Sequence, residues 1–147
     1  MKTIHPSPLL KNALRVDALV SGATGVLQLV ATDKLAMLLD LPRGLLSVSG
    51  EFLLAYALAL LVMAGRQRLL SWAVMFIVLG NLLWGVACVV LPIEGILAPN
   101  ALGWGFLGVQ VAAVAVFAVL EWLGLRNSAT AANAGEPQPR QPHGSAT

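Results

Sequence analysis

The chain has 147 residues, of which 58% are hydrophobic and 11% are charged, and its formal net charge is +2. Water-soluble domains carry about 25% charged residues, so this chain lacks the polar surface that a soluble globule needs. Its nine lysines and arginines are scattered and do not interleave with aromatic residues, which argues against nucleic-acid binding. The composition therefore predicts an integral membrane protein surrounded by the lipid bilayer.

The few cysteines and histidines limit the chemistry that the chain can perform. Cys88 is the only cysteine, so neither an intrachain disulfide nor a dithiol centre can form. The two histidines, His5 and His143, lie outside the apolar segments and cannot bind a haem or a metal ion within them. We therefore expect no cofactor, no metal site and no enzyme activity.

Four apolar segments reach the ~20 residues that are needed to cross a hydrocarbon core of ~30 Å. They lie at 12–31, 44–64, 69–91 and 101–123. The connections between them are short, which predicts an all-α fold: an antiparallel bundle of four transmembrane helices over residues 1–126. From Asn127 the chain is small, polar and rich in proline, so residues 127–147 are predicted to form a disordered cytoplasmic tail.

Residues 33–41, between the first two segments, have two interpretations. They form either a short helix at the membrane interface, capped by Asp33 and closed by Pro42, or an extension of the first span. The first segment also has an alternative, a signal peptide with a basic leader. Asp17 next to the apolar run and the lack of a clear cleavage site argue against that alternative.

The distribution of basic residues predicts the orientation of the bundle. Only Lys34 and Arg43 fall on one side of the four spans. The others fall on the opposite side: Lys2, Lys11, Arg15, Arg66, Arg68, Arg126 and Arg140. Because positively charged loops stay in the cytoplasm, both termini are predicted to be cytoplasmic.

A polar stripe runs along one face of the first span. It consists of Asp17, Ser21, Thr24 and Gln28. Polar groups without a partner in hydrocarbon each cost several kcal/mol, so this face must point at protein or at trapped water. The stripe predicts a bundle with a polar interior.

The spacing of the polar residues predicts two layers in that interior. Gln28 follows Asp17 by eleven residues, close to three helical turns, and Glu121 follows Gln110 by the same distance on the antiparallel fourth span. Helices 1 and 4 are thus predicted to face the same interior. The predicted inner layer is a charged cluster of Arg15, Asp17, Glu121 and Arg126. The predicted outer layer, a hypothetical ligand or proton site, consists of Gln28, Glu51, Asn81 and Gln110.

Each layer also has a purely structural interpretation. The charged residues of the inner layer lie near enough to the interface to pair or to reach water. Asn81 and Gln110 are of the type that joins helices by hydrogen bonds. Glu51 stands apart, since a carboxylate well inside the bilayer costs roughly 2.5–3.5 kcal/mol, and a functional role and a structural role are about equally supported there.

Three short strings suggest a family. Leu14-Arg15-Val16-Asp17-Ala18, Ser21-Gly22-Ala23-Thr24-Gly25 and Asn81-Leu82-Leu83-Trp84 together resemble a group of small four-span integral membrane proteins of bacteria that lacks an assigned function. The resemblance covers roughly residues 12–125. It implies a location in the bacterial inner membrane and no particular reaction or ligand.

The sequence leaves two functions open. The first is a non-enzymatic module that acts through assembly, with itself or with another membrane protein, or by binding a lipid-like hydrophobic ligand. The second is an oligomeric, proton-coupled transporter of small molecules in which Glu51 carries the proton. A dry, fully paired interior would favour a scaffold, whereas an interior cavity would favour binding or transport.

Overall fold

The structure, a computed structural model, describes residues 3–134, with the side chains described as far as Ser128. It is an all-α bundle with one pair of very short strands. The elements in chain order are β1 (Thr3–Ile4), α1 (Pro8–Val30), α2 (Thr32–Leu39), α3 (Arg43–Gly65), β2 (Leu69–Leu70), α4 (Ser71–Ile93) and α5 (Ala101–Ala134).

Four helices, α1, α3, α4 and α5, are long and apolar enough to cross a membrane. Their outer faces carry large apolar side chains, such as Val30, Leu83 and Val109, that remain exposed. A soluble monomer rarely exposes so much contiguous apolar surface, whereas a bilayer solvates it. The prediction of an all-α, multi-pass membrane bundle is confirmed.

One end of the bundle joins three distant parts of the chain, and we call it the strand end. There β1 pairs antiparallel with β2, with Thr3 opposite Leu70 and Ile4 opposite Leu69. Ser7, the N-cap of α1, donates its Oγ hydrogen to the carbonyl oxygen of Gly124 (2.9 Å), and its N–H donates to Ser128 Oγ (2.8 Å). The start of α1, the α3–α4 turn and the last turns of α5 therefore lie together.

The opposite end of the bundle contains α2. The Asn100 side chain there donates to the carbonyl oxygen of Leu38 (2.9 Å) and caps α5 by accepting from the Gly103 N–H (3.0 Å). Asp33 forms an ion pair with Arg43, which ties α2 to the start of α3. Of the two interpretations of residues 33–41, a separate short helix is thus observed.

Two details of the predicted boundaries are wrong. Asp33 does not cap α2, because the N-cap is Ala31 and no side chain bonds there. Nor is the chain irregular from Asn127, because α5 continues through Ala134. The alanines of this stretch favour helix, and Ser128 is held by donating to the Gly124 carbonyl oxygen (2.7 Å). Residues 135–147 of the predicted tail lie outside the described residues.

The helices are arranged so that α1 packs against α3 and α5, and α4 packs against α5. The contact between α1 and α5 agrees with the prediction that these two helices share an interior. By contrast, α3 and α4 hardly approach each other, although only a short turn joins them. Helices joined by a short turn usually pack as an antiparallel pair, but the structure has a cleft between these two.

Helices α1 and α3 approach each other closely. A Cβ atom added to Gly25 would lie 2.8 Å from the backbone oxygen of Gly50 and 3.2 Å from the Cβ of Leu53. Helices in lipid associate through such backbone contact, which small residues permit. The Ser21-x3-Gly25 pattern of α1 therefore marks its contact with α3.

Candidate functional site

Asp17 lies at the centre of a polar network in the interior of the bundle. Its side chain is fully buried. Ser21, one turn along α1, donates to Asp17 Oδ1 (2.8 Å), and the Tyr56 hydroxyl of α3 donates to Asp17 Oδ2 (3.0 Å). The polar stripe of α1 thus supplies both the acid and one of its hydrogen-bond donors.

Asn81 of α4 connects Asp17 with Glu121 of α5. Its Nδ2 atom donates to Asp17 Oδ2 (3.1 Å) and to Glu121 Oε2 (3.1 Å). Glu121 is fully buried as well, and its second oxygen, Oε1, has no hydrogen-bond partner. We call Asp17, Tyr56, Asn81 and Glu121 the acid cluster, since these four residues join all four long helices around two carboxyl groups.

The predicted inner layer is therefore only partly assembled. Asp17 and Glu121 meet at one level, as their spacing along antiparallel helices predicted. Arg15 is exposed rather than buried with them. Arg126 is also exposed, and its guanidinium carbon lies 4.7 Å from the ring centroid of Trp122. The outer faces of α1 and α5 carry these two cations because a long arginine can reach the headgroups from there.

The predicted outer layer is divided. Gln28 accepts from Ser49 Oγ (2.7 Å), and Gln110 accepts from the indole N–H of Trp84 (3.1 Å). These two glutamines line one small cavity of about 110 Å³, whereas Asn81 belongs to the acid cluster. The structure thus brings Gln28 and Gln110 together, and Gln110 also lines a second, larger cavity with Asn81.

Glu51 does not face the interior, so the expectation that it shares a layer with Gln28, Asn81 and Gln110 is wrong. It is exposed on the outer face of α3, about 12 Å along the helix from Arg43. Gly50, one residue before Glu51, and Leu53, two residues after it, face α1. The rotation of α3 that buries them turns Glu51 outward.

A large cavity of about 650 Å³ lies beside the acid cluster, between α1, α3, α4 and α5. Most of its lining is apolar, and its polar lining groups include Ser21, Tyr56, Asn81 and Gln110. Its exposed lining residues include Phe52 on α3 and Leu83 on α4, the two helices that do not pack together. The cavity thus opens sideways, through the cleft, towards the hydrocarbon.

Aromatic rings cross this cleft. Phe52 stacks on Trp84 of α4, with ring centroids 5.8 Å apart and planes 7° apart. On its own helix, Phe52 also stacks on Tyr56, at 6.2 Å and 11°. The side chains of α3 and α4 therefore meet where their backbones do not, and they cover part of the cavity.

Tyr56 is the residue that the sequence reasoning missed. It is the only tyrosine of the chain and it occupies the middle of α3, far from the interfaces where tyrosine usually lies in membrane proteins. A hydroxyl at that depth needs a partner inside the protein. Its position alone could have indicated the polar interior of α3.

Replacing Tyr56 by phenylalanine removes only the hydroxyl and keeps the stacked ring. We expect the free energy of unfolding to fall by about 1.5–3 kcal/mol, because a buried carboxyl loses a hydrogen-bond donor. Unfolding by denaturing detergent measures this change. Thr24→Val is the matched control, because the Thr24 hydroxyl only bonds back to the Val20 carbonyl oxygen of its own helix (2.8 Å). Equal losses in both variants would contradict the assigned role of Tyr56.

Within the part of the chain that the structure describes, no group of three or more histidine, cysteine, aspartate or glutamate side chains could hold a metal ion. No protein-family model, curated protein or solved structure matches the chain significantly. The case for a function therefore depends on the cavity and the acid cluster.

Proposed function

We propose that this protein is a non-enzymatic module of the bacterial inner membrane that binds a lipid-like hydrophobic molecule in the cavity between α3 and α4. The observation that carries the proposal is the sideways opening of a largely apolar cavity of about 650 Å³. Ligand sites typically have volumes of about 300–1,000 Å³, with mostly apolar walls and a few polar groups. A molecule dissolved in the bilayer would enter without crossing water.

The polar lining suggests how such a ligand would be oriented. Ser21, Tyr56 and Asn81 lie on the side of the acid cluster, and the exposed rim is apolar. A ligand with an apolar chain and a small polar head would place the head at these three residues. The cavity and the unpaired Oε1 atom of Glu121 support ligand binding better than a scaffold with a fully paired interior.

The orientation remains part of the proposal. Both termini in the cytoplasm would place the strand end of the bundle on the cytoplasmic side, with Arg66 and Arg68 in the α3–α4 turn. A transporter that uses Glu51 is less well supported, because Glu51 is exposed and does not line the cavity. Such a transporter would need a second copy to cover Glu51.

Filling the cavity tests the proposal. Ala113 of α5 lines the cavity, so Ala113→Phe is expected to weaken ligand binding on the order of tenfold, about 1.4 kcal/mol. The probe is a long-chain alcohol with a terminal bromine, which quenches tryptophan fluorescence on contact. The measurement uses a variant in which Trp72, Trp104 and Trp122 are replaced by phenylalanine. Trp84, which lines the cavity, is then its only tryptophan.

The matched control is Ala112→Phe, because the adjacent Ala112 is exposed and lies outside the cavity lining. In the single-tryptophan protein and in its Ala112→Phe variant, we expect quenching that saturates and that the same alcohol without bromine reverses by competition. Quenching that never saturates, or that both variants weaken equally, would refute the cavity as the binding site.

A further inference from the structure

Asp17 and Glu121 bring two carboxyl groups to a single donor atom. Each accepts a hydrogen from Asn81 Nδ2 at 3.1 Å, and each side chain has no exposed surface. Two ionised carboxylates at such a site repel each other strongly, because little solvent is present to screen them. The geometry therefore favours a state in which the two groups together carry one negative charge.

The hydrogen bonds of the two acids are unequal. Asp17 accepts from Ser21, Tyr56 and Asn81, whereas Glu121 accepts from Asn81 alone and its Oε1 atom is buried without a partner. A buried charged oxygen with no donor is costly. A proton on Glu121 removes that charge, and three donors stabilise the ionised Asp17.

The groups that surround the pair come from all four long helices. The titratable group from α3 is Tyr56, and α4 contributes the neutral amide of Asn81. On α1 and α5 the nearest basic residues in sequence are Arg15 and Arg126, both exposed, and Arg126 lies over Trp122. The pair thus lies inside a neutral polar shell with its cations outside.

We propose that Asp17 and Glu121 form a proton-binding site that holds one proton between them and exchanges it with the cavity through Tyr56 and Ser21. Both residues line the cavity, and both hydroxyls donate to Asp17. In one exchange, a hydroxyl hydrogen passes to an Asp17 oxygen as a proton from the cavity replaces it on the hydroxyl oxygen. The proton then moves from Asp17 to the neighbouring Glu121 carboxylate, which leaves Asp17 ionised with its three donors. The net result is the uptake of one proton, and the charge of the pair changes from −2 to −1.

Infrared spectroscopy of the protein in lipid, without added ligand, tests this site separately from the proposed function. A protonated carboxylic acid has a C=O stretching band that an ionised carboxylate lacks. Glu51 is exposed to the bilayer and would contribute its own band, so all measurements use the Glu51→Gln background. In that background, a band equivalent to one carboxylic acid is expected at neutral pH.

Adding Glu121→Gln is expected to abolish the band, because the remaining Asp17 keeps its donors and stays ionised. Adding Tyr56→Phe is expected to retain the band and to slow its exchange in heavy water several-fold. The absence of the band in the Glu51→Gln background overturns the proposal, as does a band that survives Glu121→Gln.

An unchanged exchange rate in Tyr56→Phe and in Ser21→Ala overturns the path to the cavity. The parent measurement decides the proposal even if Glu121→Gln does not fold.

Discussion

Replacement of Asn81 by aspartate is expected to destabilise the bundle by about 3 kcal/mol or more. The change keeps the shape of the side chain but removes the Nδ2 donor that both Asp17 and Glu121 use. The lost hydrogen bond to the ionised Asp17 is worth about 1.5–3 kcal/mol and the one to Glu121 about 0.5–1.5 kcal/mol, and a third carboxyl enters a buried site. Unfolding by denaturing detergent, followed by circular dichroism, measures the loss.

Asn12→Asp is the matched control, because Asn12 is exposed on α1 and the same atoms change there. We expect its effect to stay within about 0.5 kcal/mol, as is usual for a surface position. If Asn81→Asp behaved like this control, the Asn81 bridge would contribute nothing to stability, and the acid cluster would not hold α4 to α1 and α5.

Gly25→Ala is expected to lower the free energy of unfolding by about 1–3 kcal/mol, although alanine is the better helix former. The added Cβ would lie 2.8 Å from the backbone oxygen of Gly50, so α1 and α3 must move apart. The move would also shift Tyr56 away from Asp17, since these two residues face each other across the same pair of helices. Thermal unfolding in detergent provides the measurement.

The matched control, Gly108→Ala, is expected to be neutral or to change stability in the opposite direction. At Gly108 of α5 an added Cβ meets no atom within 4 Å. Gly108→Ala is therefore expected to be neutral or to stabilise the protein by up to about 1 kcal/mol, from the lower backbone entropy of alanine. Stabilisation by both substitutions would show that the α1–α3 contact is looser than the structure has it.

The sequence predicts the helices well because hydropathy and length determine a membrane span with little dependence on tertiary structure. It also predicts that Asp17 and Glu121 meet, since the rise per residue sets their depth and the antiparallel order of α1 and α5 sets their level. Depth along a helix is thus readable from the sequence.

Rotation about the helix axis is much harder to predict. Lipid and protein interior are both apolar, so an apolar residue does not show which way a helix faces. Glu51 therefore gave no indication that it points outward. Asn81 lies at a depth between the two predicted layers. Its position in the sequence therefore does not show whether it contacts the two acids or the two glutamines. The cavity depends on the splay of α3 and α4, which no local pattern encodes.

The bonds between the start of α1 and the last turns of α5 affect how the protein is made. The Ser7 N–H and hydroxyl reach Ser128 and Gly124, more than a hundred residues later. Synthesis proceeds from the N-terminus, so α1, α3 and α4 reach the membrane before these partners exist. During that interval Asp17 and Asn81 can bond to each other, but Glu121 is still missing. Insertion of the last helix thus completes the packing of the first, and closure of the bundle is a late step of biogenesis.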